Sequence, residues 1–220
     1  MGGRKAHHLP AAVTLSQRAA LALALILTMA LAAAAAGCSA RFELASISAE
    51  SIPPEARDEP HRAENVVWRT CHKDNGLLIV ACTYDLRGYE SPGVLGPTFP
   101  AMRVSVYRGS EDGSLTSVAG GTCDIGKDVK FRAMPGQGMG SPNGGSLVWS
   151  LHAVGMALDA RVVKVIGVTT TGRTVEAGVN NGFWGMFVDN TGQHETWASL
   201  NAVSAQGKAL YRYLDDFVRP

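Results

Sequence analysis

Turn signals that recur at short intervals constrain the fold of this chain more than any other feature. Asn75-Gly76 is the strongest, because an Asn-Gly pair favours the tight turn of a two-residue β-hairpin. Other turn signals fall at residues 109–113, 171–173, 180–182 and 206–207. Runs of alternating apolar and polar residues lie between the turns, and residues 155–160 and 214–218 are the only, weak, helix candidates after residue 65. The pattern predicts an all-β fold, an antiparallel sandwich or a barrel-like domain.

The aromatic run at residues 183–188 carries apolar side chains on both faces of a predicted strand. Phe183 and Phe187 share one face of that strand, and Trp184 and Met186 lie on the other. A strand that is apolar on both faces is typical of one that is buried on both sides. The alternative is an exposed aromatic patch that binds a sugar or a partner protein.

Residues 135–145 are rich in glycine and superficially resemble a phosphate-binding loop. Such a loop leads from a strand into a helix whose backbone N–H groups point at the phosphate. Here more loop sequence follows, from Ser141 to Gly145, where the helix would have to begin. We therefore predict a mobile surface loop after a short strand at residues 129–134.

The first 38 residues have the pattern of an export signal. A basic start precedes residues 19–37, which are uncharged and mostly apolar, and Cys38 follows a run of small residues as in a lipoprotein signal. We therefore predict an extracytoplasmic domain held at the cell membrane by lipid on Cys38. Two alternatives remain open: residues 19–37 stay as an uncleaved membrane-spanning helix, or cleavage after Ala36 or Ala40 releases the protein.

The segment between this signal and the predicted strands has the composition of a linker. Residues 39–65 contain three prolines and nine charged residues without sustained periodicity. They predict a flexible, solvated tether that carries the β-rich domain of residues 66–220. That domain is long enough to consist of two packed halves, residues 66–145 and 146–220.

The charges argue against nucleic acid as a partner. Three of the 20 Lys and Arg residues, and none of the 19 Asp and Glu residues, lie in the first 37 positions, so the rest of the chain has a net charge of −2. It therefore has no basic field for nucleic acid. Asp189, His194 and Glu195 lie near one predicted loop and could hold a cation only weakly, so we expect a solvated loop and predict no metal or cofactor.

The cysteine count depends on the fate of Cys38. With lipid on that residue, Cys71, Cys82 and Cys123 remain in an oxidising compartment, where one disulfide and one free thiol are the simplest arrangement.

The predicted hairpin limits which cysteines can pair. A two-residue turn puts Cys71 opposite Val80 and Cys82 opposite Arg69, too far out of register for a bridge between these cysteines. This objection does not apply to a bridge between Cys82 and Cys123, so we predict that bridge. Cys71 is then unpaired, or it is an alternative partner in the disulfide.

Residues 155–214 contain a succession of short strands and turns. A strand at 161–165 precedes a turn and strand at 172–177, the aromatic strand follows, and a strand pair around 205–208 closes the unit. This order resembles that of small, mostly uncharacterised lipoprotein-like envelope proteins of high-GC Gram-positive bacteria, in which an upstream cysteine pair like Cys82 and Cys123 is common. The resemblance implies a β-rich extracytoplasmic module and brings no catalytic residues with it.

The sequence contains no strong catalytic signature. Ser91 and Ser146 lack the glycine-flanked elbow of many serine hydrolases, and a Cys71 next to His72 in sequence is not the spatial pair that activates a thiolate. The leading hypothesis is a non-enzymatic, membrane-anchored domain that binds or supports an envelope protein or glycan. The alternatives are a membrane-tethered sensor or regulator, and a secreted hydrolase of envelope polymer, which needs His152 or His194 beside a serine, a cysteine or a carboxylate.

Overall fold

The computed structural model describes residues 43–91, 94–126, 129–140 and 148–213, all of which belong to one compact unit. Within these ranges the chain forms eleven strands, two single-turn 3₁₀ helices (Ala49–Ser51 and Pro54–Ala56) and no α-helix. The strands are β1 (Ala63–Asp74), β2 (Leu77–Ser91), β3 (Val94–Gly109), β4 (Leu115–Asp124), β5 (Phe131–Gly140), β6 (Val148–Ala157), β7 (Val162–Thr169), β8 (Thr174–Gly178), β9 (Phe183–Thr191), β10 (Trp197–Ser204) and β11 (Ala209–Tyr213). The all-β prediction is confirmed.

The strands form three antiparallel sheets. The first sheet has the order β1-β2-β3-β4, the middle sheet β5-β6-β9, and the third sheet β11-β10-β7-β8. In the described part of the chain each of the three sheets stays open, so the barrel-like alternative is wrong. The first sheet ends with β4 at Asp124, and the middle sheet begins with β5 at Phe131.

The middle sheet lies between the other two, and its strand β9 packs against both. Phe183 packs with residues of the first sheet, including Ile79 and Val106. Trp184, on the opposite face of β9, packs with residues of the third sheet such as Leu200. Both aromatic side chains are fully buried, which confirms the prediction of a strand buried on both sides. Each contributes roughly 2 kcal/mol through burial alone.

The Asn75-Gly76 hairpin forms as predicted, with positive φ at both turn residues. Its register puts Cys71 opposite Val80, again as predicted. An irregularity between Trp68 and Thr70 then shifts the pairing by one residue, so Cys82 lies opposite Trp68 and not opposite Arg69.

The predicted disulfide between Cys82 and Cys123 is wrong. The two residues lie on β2 and β4, and β3 runs between these strands. Cys82 belongs to the outer face of the first sheet, whereas Cys123 packs on the inner face. A bridge needs the two Cα atoms within about 7 Å, which strands that are not neighbours do not allow. Cys71, Cys82 and Cys123 all carry free thiols.

The glycine-rich segment is a strand and not the predicted loop, at least as far as Gly140. Residues 135–140 pair with β6, and Gly136 lies opposite His152. A Cβ on Gly136 would come within 2.2 Å of Nε2 of His152, so the glycine makes room for the imidazole ring. Pro135 is tolerated because β5 is an edge strand.

The two weak helix candidates have different outcomes. Residues 155–157 belong to β6, so the first candidate is wrong. The second, residues 214–218, lies outside the described residues.

The predicted tether is wrong for most of its length. Residues 43–62, which we call the strap, pack along the first sheet, with Leu44 in the inner cluster and Ile47 on the outer face. Ile52 and Ala56 are each 1% exposed and pack with Trp68 and Val80. Pro53 and Pro54, which suggested a solvated linker, start a 3₁₀ turn that contains the buried Ala56.

The free thiols lead to a testable prediction. Burial raises the pKa of Cys82 to about 11, so its thiolate is scarce at neutral pH and a thiol reagent cannot reach it in the folded chain. We expect alkylation of Cys82 only after unfolding in urea, without any reductant, as mapped by peptide mass spectrometry. Half-buried Cys123 serves as the internal control. If Cys82 or Cys123 were alkylated only after a reductant had been added, that residue would be part of a disulfide, which would contradict the prediction.

Candidate functional site

A cleft with a volume of about 300 Å³ opens where the three sheets meet. It is bounded by the β1–β2 turn, the end of β3, β8 and the first half of β9. Asn75, Leu77, Arg108, Glu176 and Phe187 are among the residues that line it. The volume lies at the lower end of the range for small-ligand sites and matches a single ring or side chain.

Hydrogen bonds between the sheets hold one wall of the cleft in place. Asn75 Nδ2 donates to the carbonyl oxygen of Glu176 at 2.8 Å, and the Gly178 N–H donates to Asp74 Oδ2 at 2.7 Å. Gly185 lets the middle sheet approach the first sheet closely, because a Cβ there would lie 2.7 Å from Val106. The β1–β2 turn therefore sits as a fixed edge over β8 and β9.

Arg108 is the charged group of the cleft. Its guanidinium forms an ion pair with Asp189 at 2.8 Å, with a second hydrogen bond at 3.0 Å. It also lies 4.9 Å from the centre of the Phe187 ring, within the range of a cation–π contact. The side chain remains 42% exposed, so part of the guanidinium faces the opening of the cleft.

A second arginine continues this charge network toward the β9–β10 loop. The carbonyl oxygen of Asp189 accepts hydrogen bonds from both Nη atoms of Arg173, at 3.2 and 3.3 Å. Arg173 Nε lies 3.1 Å from Oε1 of Glu195, a side chain that is only 5% exposed. The network thus runs from β3 through β9 to the loop that precedes β10.

Glu195 is held as a carboxylate. It accepts hydrogen bonds from the Thr171 hydroxyl at 2.6 Å, from Arg173, and from the Gly192 N–H at 3.3 Å. These donors, with the Thr171 hydroxyl the strongest and Thr169 next, lower the pKa of Glu195 to about 2. The site is a buried clamp on the loop rather than a reactive acid.

The structure places Asp189, His194 and Glu195, which lie near one predicted loop, in different environments. Asp189 and Glu195 each pair with an arginine, and His194 points into solvent. Among the residues that the structure describes, no group of three or more potential ligands could hold a metal ion. The prediction of a solvated loop is wrong for Glu195. A carboxylate at a turn usually stays in water, whereas this one is buried and holds the loop closed.

The histidines occupy different environments. Burial lowers the pKa of His152, whose ring lies against Gly136 and makes no hydrogen bond to a serine, cysteine or carboxylate among the described residues. Burial also lowers the pKa of His72, whose Nδ1 lies 3.0 Å from the Thr70 hydroxyl. That hydroxyl donates its only proton to Asn180 Oδ1 at 2.9 Å, so it accepts from Nδ1 and is not poised as a nucleophile.

Several predicted positions lie outside the described residues. They include Cys38, the apolar segment 19–37 and Ser146. Within the ranges that are described, no helix has the length and apolar character needed to cross a membrane.

The chain matches no protein-family model, no curated protein and no solved structure. The resemblance to envelope proteins therefore rests on the order of its strands and turns alone.

Sequence reasoning did not find the pairing of Arg108 with Asp189 or that of Arg173 with Glu195. The partners are 81 and 22 positions apart in the chain. Arginines that follow or end strands are common, so only the packing of the sheets could have revealed these pairs.

The Glu195 clamp leads to a prediction with a pH dependence. Replacement by glutamine (Glu195→Gln) removes the charge that Arg173 and Thr171 stabilise, and should lower the free energy of unfolding at pH 7 by about 2 kcal/mol. Because the folded pKa, about 2, lies below the ordinary 4.5, the contribution is complete above pH 4.5 and is lost as the pH falls toward 2. The difference between wild type and variant should shrink over that interval in urea titrations.

Glu176→Gln is the matched control for this experiment. Glu176 forms an ion pair with Lys164 at 2.7 Å, but it is 51% exposed and should contribute far less. A stability difference for Glu195→Gln that stayed constant down to pH 2 would contradict the clamp.

Proposed function

We propose that this protein is a non-enzymatic binding domain of the cell envelope, anchored to the membrane and facing the extracytoplasmic side. The observation that carries the proposal is the cleft at the junction of the three sheets, which presents a fixed arginine beside an aromatic ring. The position of Arg108 does not depend on Phe187 alone, because Asp189 also holds its guanidinium in place. A preorganised guanidinium of this kind suits recognition, because little side-chain entropy is lost on binding.

The chemistry of the cleft favours a ligand with both polar and apolar surface. Leu77 and Phe187 supply apolar area, while Arg108, Asn75 and Glu176 supply hydrogen-bonding groups at the rim. A sugar ring or a single side chain of a partner protein combines such surfaces. An envelope glycan or an envelope protein is therefore the ligand class that we propose.

The N-terminal sequence supports the proposed location. A basic start, an uncharged apolar segment and Cys38 after small residues together favour export and lipid attachment. The net charge of −2 after residue 37 is also consistent with a partner other than nucleic acid.

Binding can be tested with soluble glycan-peptide fragments of the cell wall, titrated into the full-length protein by calorimetry. We expect Arg108→Ala to weaken binding about tenfold, the loss of roughly one charge-assisted hydrogen bond. Arg212→Ala on β11 is the control, because it removes an exposed arginine of the third sheet that does not line the cleft. Thermal unfolding of both variants checks that the fold is kept.

Two outcomes would contradict the proposed binding function. Equal affinities for Arg108→Ala and wild type would show that the cleft does not bind these fragments. Fragments cleaved by the wild-type protein, seen by mass spectrometry, would favour the hydrolase alternative.

Membrane attachment can be tested by the intact mass of the protein extracted from membranes of a host that processes lipoproteins. We expect a chain that begins at Cys38 and carries added acyl mass. A chain that retains Met1 or Gly2 would show an uncleaved segment instead.

A further inference from the structure

The cleft lies along an edge of β9 that no strand covers. In the middle sheet β9 pairs with β6 alone, so within the described ranges its other edge has no neighbouring strand. Gly185, Met186 and Phe187 of β9 line the cleft together with residues of the first sheet and of β8. None of the residues of β6, all of which are described, lines it. One wall of the cleft is therefore the free edge of a strand.

The direction of the backbone groups is fixed at the start of β9. The Ala157 N–H of β6 donates to the Gly182 carbonyl oxygen at 2.7 Å, so Gly182 faces β6. The next residue, Phe183, faces the other way, because its N–H and its carbonyl oxygen each bond to Asn180 at 2.9 Å. Successive residues thus point to opposite edges, as they do along any antiparallel strand.

The same alternation continues along the cleft. The pairing of β9 with β6 is regular over residues 183–188. Trp184 and Met186 therefore direct their backbone groups to β6, whereas the N–H and C=O groups of Gly185 and Phe187 point to the free edge. These two donors and two acceptors repeat at about 7 Å, which is two residues of an extended strand.

The free edge is bonded at both ends and open between them. Phe183 closes one end through Asn180, and at the other end the Asp189 carbonyl oxygen accepts from Arg173. Between these points, no strand or turn of the described chain bonds to the outward groups of β9. Gly185 is nevertheless buried. Buried backbone groups without a partner are rare and costly, so this part of the edge lacks the partner that it is built to take.

The main chain of an extended peptide is the partner that matches these groups. A strand presents one N–H and one C=O group to its neighbour at every second residue, with the same spacing of about 7 Å. Polypeptides bind open strand edges in this way, with affinity from main-chain hydrogen bonds and specificity from pockets for alternate side chains. The hydroxyl groups of a sugar have no such repeat of donor and acceptor.

The side chains around the edge suit an uncharged, apolar segment. Both Nη atoms of Arg108 bond to Asp189, so the charge of the guanidinium is already neutralised, and its remaining N–H groups suit a peptide carbonyl better than a second carboxylate. Leu77, Val175 and Phe187 supply apolar contacts. The volume of about 300 Å³ admits one apolar side chain with its backbone, so most of a longer segment stays outside.

We propose that the cleft binds an extended segment of a polypeptide, which adds to the free edge of β9 through main-chain hydrogen bonds to Gly185 and Phe187. This inference rests on the proposed function, in which the cleft is a binding site. It narrows the ligand from a glycan or a protein to a protein, recognised through its backbone and one apolar side chain.

Hydrogen exchange of the full-length protein, resolved to single amides by NMR, tests the edge directly. Without ligand, the amides of Gly185 and Phe187 should exchange about 100-fold faster than those of Trp184 and Met186, which bond to β6. The probe is the peptide acetyl-Thr-Val-Leu-Val-Thr-amide, which is uncharged and favours an extended chain. At saturation it should slow exchange at Gly185 and Phe187 about tenfold or more and leave Trp184 and Met186 unchanged.

Two backbone-methylated forms of the peptide serve as matched controls. One carries N-methyl groups on the two valines, and the other carries them on both threonines and the leucine. Because alternate residues face β9, only one of these forms loses the amides that bond to it. We expect that form to bind about tenfold more weakly by calorimetry and the other to keep its affinity.

The outcomes separate this inference from the proposed function. Slow exchange at Gly185 and Phe187 in the free protein, no effect of the peptide, or equal affinities of its two methylated forms would overturn strand addition. Protection by glycan strands stripped of peptide, instead of by the probe, would overturn it and leave the cleft as a binding site. If neither the probe nor the glycan-peptide fragments bind, both proposals fail. Protection that rises with protein concentration alone would assign the edge to a second copy and also overturn the inference.

Discussion

Burial of both faces of β9 is the constraint on which the rest of the structure depends. A strand that is apolar on one face needs one covering layer, whereas Phe183 and Trp184 on successive positions need two. The first and third sheets supply these layers. The order of the sheets, with the short middle sheet between two larger ones, follows from this requirement.

Glycines on the inner strands allow three layers to pack this closely. A Cβ on Gly167 of the third sheet would lie 2.8 Å from Met186 Sδ in the middle sheet, and one on Gly121 of the first sheet would lie 3.0 Å from Val154. Gly185 has the same role toward the first sheet. Glycines therefore face larger side chains across the interfaces between sheets, which allows dense packing.

The sequence predicted the parts of the fold that local patterns encode. The Asn75-Gly76 turn and the alternation through residues 183–188 are local, and both are confirmed. The one-residue shift near Arg69 was not predictable, because an irregularity in one strand is visible only against its partner. The position of β3 between β2 and β4 rules out the disulfide between Cys82 and Cys123, which the predicted hairpin register had left open.

In two segments the composition does not indicate solvent exposure. Glycine in residues 136–140 provides space for His152 and Ser150 on the neighbouring strand, so it does not mark a loop. Proline and charge in the strap accompany two apolar residues, Ile52 and Ala56, that pack on the outer face of the first sheet. The packing of these two residues depends on a surface that is distant in sequence. The candidate cleft and its charge network also join residues that are distant in sequence, so they could not be inferred either.

The strap fixes how the chain enters the described domain. Ile52 packs on the outer face of the first sheet, and Ala45 exchanges two hydrogen bonds with Asn181 in the β8–β9 turn. A segment held at both of these points does not behave as the solvated linker that its prolines and charges suggested. The strap also donates a backbone hydrogen bond to Trp68 of β1, whereas the cleft lies beside the β1–β2 turn, so different parts of one strand position the two features.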